Sequence, residues 1–347
     1  MDNRTVIIEP QETRPSGDYQ AWLANQSSAE TVRRKKRNRT ILICGIAAVV
    51  LLMVIGIWRA GSNSGSGSTL NFTSDYIAVL DVNGEISSSP SGGYDHAWTI
   101  KMIDSLMADD YNKGIFLRVD SPGGSVYESD ELYLKFMEYK EKTGRPIYAY
   151  YGSMAASGGY YVSVMSDKIY ANRNCWTGSI GVTLGTMYDF SGLLERYGVK
   201  VNTITSGANK AMGSEFIEMT DEQRAIFQSL VDEAYDQFVG IVAEGRGMSV
   251  AQVKKIADGR ILTAKQAMEA DLIDAIGDER DARATMKADC GLDSADFQEL
   301  APEETTSVLT YFTQARDNQV VSEIDMLMEL IKRGGTFEIS YRANISR

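Results

Sequence analysis

Histidine is almost missing from this sequence of 347 residues, in which His96 is the one example. A Ser-His-Asp triad needs a histidine base, so a hydrolase built on this chain has to use another base. Lysine is the known substitute in serine hydrolases that lack the histidine. His96 stands just ahead of a predicted helix, and we expect it to be exposed or to cap that helix.

Cysteine is scarce as well, with Cys44, Cys175 and Cys290 far apart in the sequence. Their spacing fits neither a CxxC metal site nor a disulfide framework, so we expect Cys175 and Cys290 to be free, buried thiols. Carboxylates are numerous but lack metal-ligand spacing, and the phosphate-binding pattern GxxxxGK[ST] does not occur. The sequence therefore predicts no cofactor and no metal.

Positive charge is in the minority, since 35 Lys and Arg stand against 47 Asp and Glu for a net charge of −12. Residues 1–39 carry a local net charge of +3, which leaves −15 for the remainder. Binding to nucleic acid requires a basic surface that neutralises phosphates. We therefore expect no nucleic-acid partner.

One long apolar run, Ile41–Trp58, contains no charged residue. As a helix its length is about 27 Å, close to the hydrocarbon thickness of roughly 30 Å. The basic cluster Arg33–Arg37 precedes it, and the positive-inside rule then places the N-terminus in the cytoplasm. We expect a single-pass protein of the cell membrane with an extracytoplasmic domain. A cleaved signal peptide is the alternative, but the run is long for one and follows a polar leader.

Composition divides the chain into five predicted segments. They are a polar cytoplasmic tail with a basic end at 1–39, a transmembrane signal anchor at 40–58, a Gly/Ser linker at 59–74, a folded domain at 75–300, and a C-terminal helix and tail at 301–347.

Strand and helix patterns alternate through the folded domain. Alternating apolar strands and helices are typical of an α/β domain with parallel βαβ units, either superhelical or doubly wound. The predicted strands are 76–81, 114–120, 146–151, 168–171 and 200–205, and the predicted helices cover about 97–109, 126–142 and a long run from 220 to 245.

Ser157 lies among small residues between a predicted strand and a predicted helix. Small neighbours leave its hydroxyl accessible, and unpaired amides at a helix N-terminus favour negative charge. The residues after Ser157 therefore provide half of an oxyanion hole. Gly123 or Gly124 of the preceding Ser-Pro-Gly-Gly turn can supply the other half. The alternative is that both glycine pairs only form tight turns.

Lys210 follows a predicted strand, in a loop that contains glycine and no nearby carboxylate. A lysine accepts a proton only as the neutral amine, and burial beside apolar groups favours that form. Ser179, in another turn of small residues, could hydrogen-bond the amine and orient it. The alternative is an exposed loop lysine without a catalytic role.

Four motifs together resemble signal peptide peptidase A in its short bacterial form. They are DSPGGSV at 120–126, SMAASGGYY at 153–161, TGSIGV at 177–182 and SGANK at 206–210. The resemblance extends over about 75–280, and it implies a Clp protease/crotonase-type superhelix of ββα units. The implied activity is that of a membrane-anchored serine endopeptidase that degrades remnant signal peptides.

The resemblance also implies a role for each site residue. Ser157 would be the nucleophile, Lys210 the general base and Ser179 its hydrogen-bond partner, with Gly124 and Gly158 as oxyanion donors. The expected partners are signal peptides and other unfolded apolar peptides. Further copies of the chain in a homo-oligomeric ring are also expected, because one chain carries one copy of the domain. The small residues beside Ser157 lead us to expect shallow pockets for Ala-like or Leu-like side chains.

Two other functions remain open at this point. A related Ser/Lys membrane protease would cut a stomatin-type scaffold protein, but such relatives usually add further spans, and no later apolar run reaches 18 residues. A non-catalytic crotonase-like module would bind extended peptides, but it would have no need of both Ser157 and Lys210. An acyl-CoA enzyme is disfavoured by an external position, where CoA is not available.

Overall fold

A computed structural model describes residue 70 and residues 72–90, 94–302 and 340–343 of this chain. The predicted tail and signal anchor, most of the linker and most of 301–347 lie outside these residues. Within the described residues, no helix is long and apolar enough to cross a bilayer. The anchor at 40–58 therefore stays a prediction.

Strands and helices alternate from the first strand onward, which confirms the predicted mixed α/β class. The strands are β1 Tyr76–Asn83, β2 Asn112–Ser121, β3 Gly123–Ser125, β4 Ile147–Ala156, β5 Lys168–Ala171, β6 Trp176–Gly178, β7 Ile261–Thr263, β8 Ala275–Ile276, β9 Asp296–Leu300 and β10 Ser340–Arg342. The helices are α1 His96–Ala108, α2 Val126–Thr143, α3 Gly158–Tyr161, α4 Ser191–Arg196, α5 Asp221–Gly245, α6 Val250–Lys254, α7 Ala264–Glu269 and α8 Glu279–Cys290.

A central, mainly parallel sheet has the strand order β7-β6-β4-β2-β1-β9, and β5 joins it between β4 and β8. The long strand β4 has two partners on the same side, because 148–151 pair with β5 and 154–156 pair with β6. The β6–β7 pair is antiparallel, and the other pairs of this sheet are parallel.

Both faces of the central sheet are buried, as the continuous apolar runs of its strands require. Successive side chains of a strand point to opposite faces. In β1, Ala78 and Leu80 pack with the buried faces of α1 and α2. Ile77 and Val79 pack on the other side with Met286 of α8. The core is therefore layered, with the sheet between helices.

A second, small sheet lies beside the first. β3 pairs antiparallel with β10, and isolated bridges join Gly124 to Ile86 and Ser340 to Thr183. β2, β3 and α2 follow each other directly and form one strand-strand-helix unit. The superhelical arrangement of such units stays an expectation of the resemblance.

The strand predicted at 200–205 is wrong, because these residues are exposed and have no regular structure. An extended segment becomes a strand only where its backbone groups find a partner strand, and none of the described strands lies beside it. The helix predicted after Ser157 is present but comprises four residues. The long helix predicted after 220 is confirmed as α5.

The environment of the single histidine also differs from the prediction. His96 is 7% exposed, and its Nδ1 lies 2.6 Å from Tyr94 Oη while its Nε2 lies 2.7 Å from Glu131 Oε2. The cap of α1 is Asp95, whose side chain accepts from the Trp98 amide at 2.9 Å. His96 is therefore a buried, hydrogen-bonded residue, neither exposed nor the cap.

Both cysteines within the described residues are free, as predicted. Cys175 is buried, and this burial raises its pKa to about 12, so the thiol stays protonated at neutral pH. Cys290 is only partly buried, which corrects the expectation of two buried thiols.

Packing of α1 against the sheet gives a test of this fold. Leu106 of α1 is fully buried, so Leu106→Ala should lower the free energy of unfolding by about 2–5 kcal/mol in denaturant titration. Leu134 of α2 is 56% exposed, and Leu134→Ala should change this free energy by less than about 0.5 kcal/mol. Equal losses for the two variants would contradict the helix placement.

Candidate active site

Ser157 follows the last residue of β4 and precedes α3. Its backbone has φ 54° and ψ −117°, a region that residues other than glycine rarely occupy and that is associated with functional sites. Its amide donates to Gly178 O at 2.8 Å, and its carbonyl accepts from Tyr161 N at 2.9 Å. These bonds hold the turn, while Ser157 lines a cavity of about 430 Å³.

Ser179 reaches the same cavity because its strand is a neighbour of β4. Ala156 of β4 is paired with Gly178 of β6, so the next residue of each strand leaves the sheet at the same edge. Ser179 also has a positive φ, of 51°, and its amide donates to Arg260 O at 2.8 Å. The structure therefore brings Ser157 and Ser179 to the same cavity, and their catalytic roles stay predictions.

Gly124 and Gly158 also lie side by side. A methyl group at Gly158 would come within 3.0 Å of Gly124 N and 2.7 Å of Ser129 Oγ, so only glycine fits between β3 and α3. Gly158 begins α3 directly after Ser157, where helix amides are unpaired. The backbone amides of Gly124 and Gly158 are thus positioned to bind one oxygen atom beside Ser157.

The pairing of β3 determines which way the Gly124 amide points. Ile86 forms hydrogen bonds with the backbone groups on one side of β3. Ile86 N donates to Gly123 O at 3.0 Å, and Ser125 N donates to Ile86 O at 2.9 Å. Successive backbone amides of a strand point to opposite sides. Gly124 therefore directs its N–H to the other side, toward the cleft.

Lys210 does not join this group within a single chain. Its side chain is exposed in a turn at 207–213, and the residues that line the cavity of Ser157 and Ser179 do not include it. The expectation that Lys210 is buried is therefore not met in the single chain. Asn209 Nδ2 donates to Glu222 Oε1 at 3.2 Å, which ties the turn to the start of α5.

Charged residues of both signs line the cavity. They are Asp232, Asp258 and Arg342. The hydrogen bonds from Arg260 hold the pKa of Asp258 down to about 2, so Asp258 is ionised at neutral pH and is paired with Arg260. Arg342 pairs with Glu85 at 3.1 Å. Within the described residues, no group of three or more His, Cys, Asp or Glu side chains is placed to hold a metal ion.

Sequence reasoning missed that residues 340–343 run through the cleft. Ser340 N donates to Thr183 O at 2.9 Å, Thr183 N donates to Ser340 O at 3.0 Å, and Ala343 N donates to Pro122 O at 2.8 Å. Apolar and polar residues alternate at 337–341, which is typical of a strand. This alternation does not reveal which distant strand is the partner.

Comparison with known proteins identifies the family of the chain. Residues 139–293, which include Ser157, Ser179 and Lys210, match the model of peptidase family S49. Over 243 residues, the chain is 40% identical to "Putative signal peptide peptidase SppA" of Enterococcus faecium, covering 68% of this chain and 70% of that protein. The chain belongs to peptidase family S49.

Two further relatives support an S49 serine protease. "Protease 4" of Haemophilus influenzae is 36% identical over 212 residues, 59% of this chain and 33% of the relative. "Serine protease SPPA, chloroplastic" of Arabidopsis thaliana is 32% identical over 210 residues, 58% of this chain and 31% of the relative. This S49 peptidase is accordingly a serine protease, and the alternative of a non-catalytic peptide-binding module is excluded.

The contact between the two glycines of this S49 peptidase gives a test. Gly158→Ala would push its methyl group against Gly124 N and Ser129 Oγ, and we expect kcat/KM on a peptide substrate to fall about 100-fold, as when one oxyanion donor is lost. Gly240→Ala in α5 meets no atom within 4 Å and should leave activity unchanged. A Gly158→Ala variant of normal activity would disprove the arrangement.

Proposed function

We propose that this serine protease is a membrane-anchored, extracytoplasmic Ser/Lys endopeptidase that degrades remnant signal peptides. The observation that carries the proposal is the cleft in which Ser157 and the amides of Gly124 and Gly158 meet an extended backbone at 340–343. This is the arrangement that hydrolysis of an extended peptide requires, with a nucleophile and oxyanion donors on one side of a carbonyl.

The reaction follows from these positions. Ser157 Oγ attacks the carbonyl carbon of the scissile bond, and the neutral amine of Lys210 takes the serine proton. The carbonyl oxygen becomes an oxyanion that accepts from the amides of Gly124 and Gly158. The C–N bond then breaks, and the leaving amine takes the proton from Lys210. Water hydrolyses the resulting ester, with Lys210 again as the base and Ser179 as the group that orients its amine.

A neighbouring copy of the chain supplies Lys210 in this proposal. Lys210 is exposed in a single chain, within a segment that also exposes many large apolar side chains. Of the eighteen such side chains in the described residues, nine lie between Tyr188 and Ile217. Apolar surface of this extent is characteristic of a protein interface. Contact between copies in a closed homo-oligomer would cover this surface and shield the amine of Lys210 from water.

The substrate proposal rests on the pairing of an extended chain in the cleft. Residues 340–343 pair through their backbone with β3 on one side and Thr183 on the other. A substrate that binds in this way has to be extended, so folded proteins are excluded as substrates. The name of the Enterococcus faecium relative agrees with this substrate. The apolar run at 41–58 would hold the enzyme where such peptides remain after export.

A complementation experiment tests the dyad, the oligomer and the substrate together. Ser157→Ala and Lys210→Ala should each lower kcat on a synthetic signal peptide by several orders of magnitude, because the two groups act as a unit. When the two variants are co-expressed, about a quarter of the sites in a random cyclic oligomer should combine an intact serine with an intact lysine. Activity should therefore return in the mixture.

Three results would contradict this proposal. Substantial activity of Lys210→Ala alone would exclude lysine as the base, and an inactive mixture of well-assembled variants would exclude a base from the neighbouring copy. Ready digestion of a native globular protein would contradict the proposed restriction to extended peptides.

A fluorophosphonate should label the hydroxyl of Ser157, which peptide mass spectrometry can locate.

The proposed topology has its own test. Protease added to intact spheroplasts should degrade residues after 59 and leave residues 1–39 protected, because the basic cluster at 33–37 retains the N-terminus in the cytoplasm. Permeabilised cells serve as the control, in which both parts become accessible. Protection of the domain in intact spheroplasts would contradict the proposed extracytoplasmic position of the active site.

A further inference from the structure

Strand β4 contains a bulge on its way to Ser157. Its parallel pairing with β2 skips one residue of β2, Asp120, and three residues of β4, 152–154. Bulges are rare between parallel strands, and they occur preferentially next to active sites, where they bend a strand or redirect a side chain. Beyond this bulge, β4 pairs with β6 in place of β5. The bulge therefore lies between the regular part of β4 and the candidate active site.

The side chain of Asp120 fills the gap that the bulge leaves. Its Oδ1 accepts from Ser153 Oγ at 2.6 Å and from Met154 N at 3.1 Å, and its Oδ2 lies 3.5 Å from Ser153 N. A methyl group at Gly152 would come within 3.3 Å of Oδ2, so the bulge packs closely on the carboxyl group. Hydrogen bonds to a charged carboxylate are roughly twice as strong as those between neutral groups. Asp120 thus contacts all three residues of the bulge.

The bulge shifts β4 by two residues relative to β2, and this shift aligns the two glycines of the candidate site. The last pair of the two strands is Ser121 and Ala155. Gly124 and Gly158 each follow three residues later in the sequence. Without the shift, Gly124 would stand opposite Ala156, and the close approach of Gly158 to Gly124 N would be lost. The bulge therefore determines which amide lies beside that of Gly124.

The same shift fixes the position of Ser157. One step of register moves a residue by about 3.3 Å along a strand and turns its side chain to the other face. A misplacement of about 1 Å can already cost an enzyme about 100-fold in rate. Resting on the proposed role of Ser157 as nucleophile, we infer that Asp120 is a positioning residue, whose carboxyl group holds the bulge that brings Ser157 and the amide of Gly158 together for the reaction.

A carboxyl group at the other end of β4 provides the matched comparison. Asp167 Oδ2 accepts from Ile147 N at 2.8 Å, and Asp167 Oδ1 accepts from Lys140 Nζ at 2.8 Å. Asp167 therefore stabilises the start of β4, where the pairing with β2 has no shift. Removal of either carboxyl group takes hydrogen bonds away from the same strand, but only Asp120 contacts the bulge. The two aspartates thus distinguish a positioning role from general support of the strand.

Hydrogen exchange tests the inference independently of catalysis. In the full-length chain, amide exchange over 152–161, measured by mass spectrometry, should become at least about 10-fold faster in Asp120→Ala, because the bulge then opens locally. Asp167→Ala should accelerate exchange near Ile147 and leave 152–161 unchanged. Unchanged exchange over 152–161 in Asp120→Ala would overturn the inference.

Reactivity of Ser157 gives the second arm. Asp120→Ala should slow labelling of Ser157 by a fluorophosphonate about 10- to 100-fold and lower kcat on a peptide by a similar factor. Asp120 does not line the cavity of Ser157, so KM should change by less than about two-fold. Asp167→Ala is the control and should label like the wild type. Equal losses of reactivity in the two variants would show general support of the strand and contradict the inference.

Conservative variants identify the bonds that matter. Asp120→Asn keeps an oxygen that can accept from Ser153 Oγ and Met154 N, and its labelling rate should stay within about three-fold of the wild type. Ser153→Ala removes the 2.6 Å bond alone and should slow labelling about three- to ten-fold. Both positions are exposed, so these substitutions should leave the fold intact. If Asp120→Ala does not fold, Ser153→Ala decides, and wild-type labelling by folded Ser153→Ala would refute the inference.

The two arms separate this inference from the proposed function. Faster exchange over 152–161 in Asp120→Ala, together with a wild-type Ser157 that never reacts with the fluorophosphonate, would refute the proposed nucleophile alone. A reactive Ser157 whose labelling rate is the same in the wild type and in folded Asp120→Ala would refute the role of Asp120 alone.

Discussion

The parallel pairing between the end of β4 and β6 is the constraint on which the candidate site depends. It places Ala156 opposite Gly178, so that Ser157 and Ser179 leave the sheet together. Both serines have a positive φ, which costs a residue other than glycine about 1–3 kcal/mol. The surrounding sheet, buried on both faces, offsets this strain. The proposed nucleophile, Ser157, is therefore positioned by its neighbours and not by a conformational preference of its own.

Rigid and exposed parts of the chain have different roles. The layered core holds Ser157, Ser179 and the two glycines, and it has few degrees of freedom because its side chains interlock. The segment that carries Lys210 has little regular structure and exposes apolar side chains. In the proposed reaction, the rigid core thus supplies the nucleophile and the oxyanion donors. The base lies on an exposed surface that reaches the cleft only by contact with another copy of the chain.

Local sequence patterns were sufficient for the central elements but not for long-range pairing. The apolar runs of β1, β2 and β4 and the Ser-Gly-Gly turn were readable, because their signals lie within a few residues. The burial of His96 depends on Glu131, and the position of Tyr341 depends on Gly124, 217 residues earlier. The strand prediction at 200–205 was wrong for the converse reason. The segment has a strand-like composition, but it has no partner among the described strands. Contacts across such separations leave no local pattern.

The separation of Lys210 from the Ser157 cavity has a kinetic consequence. In the proposed scheme a single chain cannot activate its own nucleophile, so its specific activity would rise with its own concentration, steeply around the dissociation constant of the assembly. Confinement to a membrane surface would raise that local concentration far above the value in bulk solution. A newly made chain would therefore be inactive while it is dilute. Proteolysis would begin only when the density of the enzyme in the membrane is high enough for assembly.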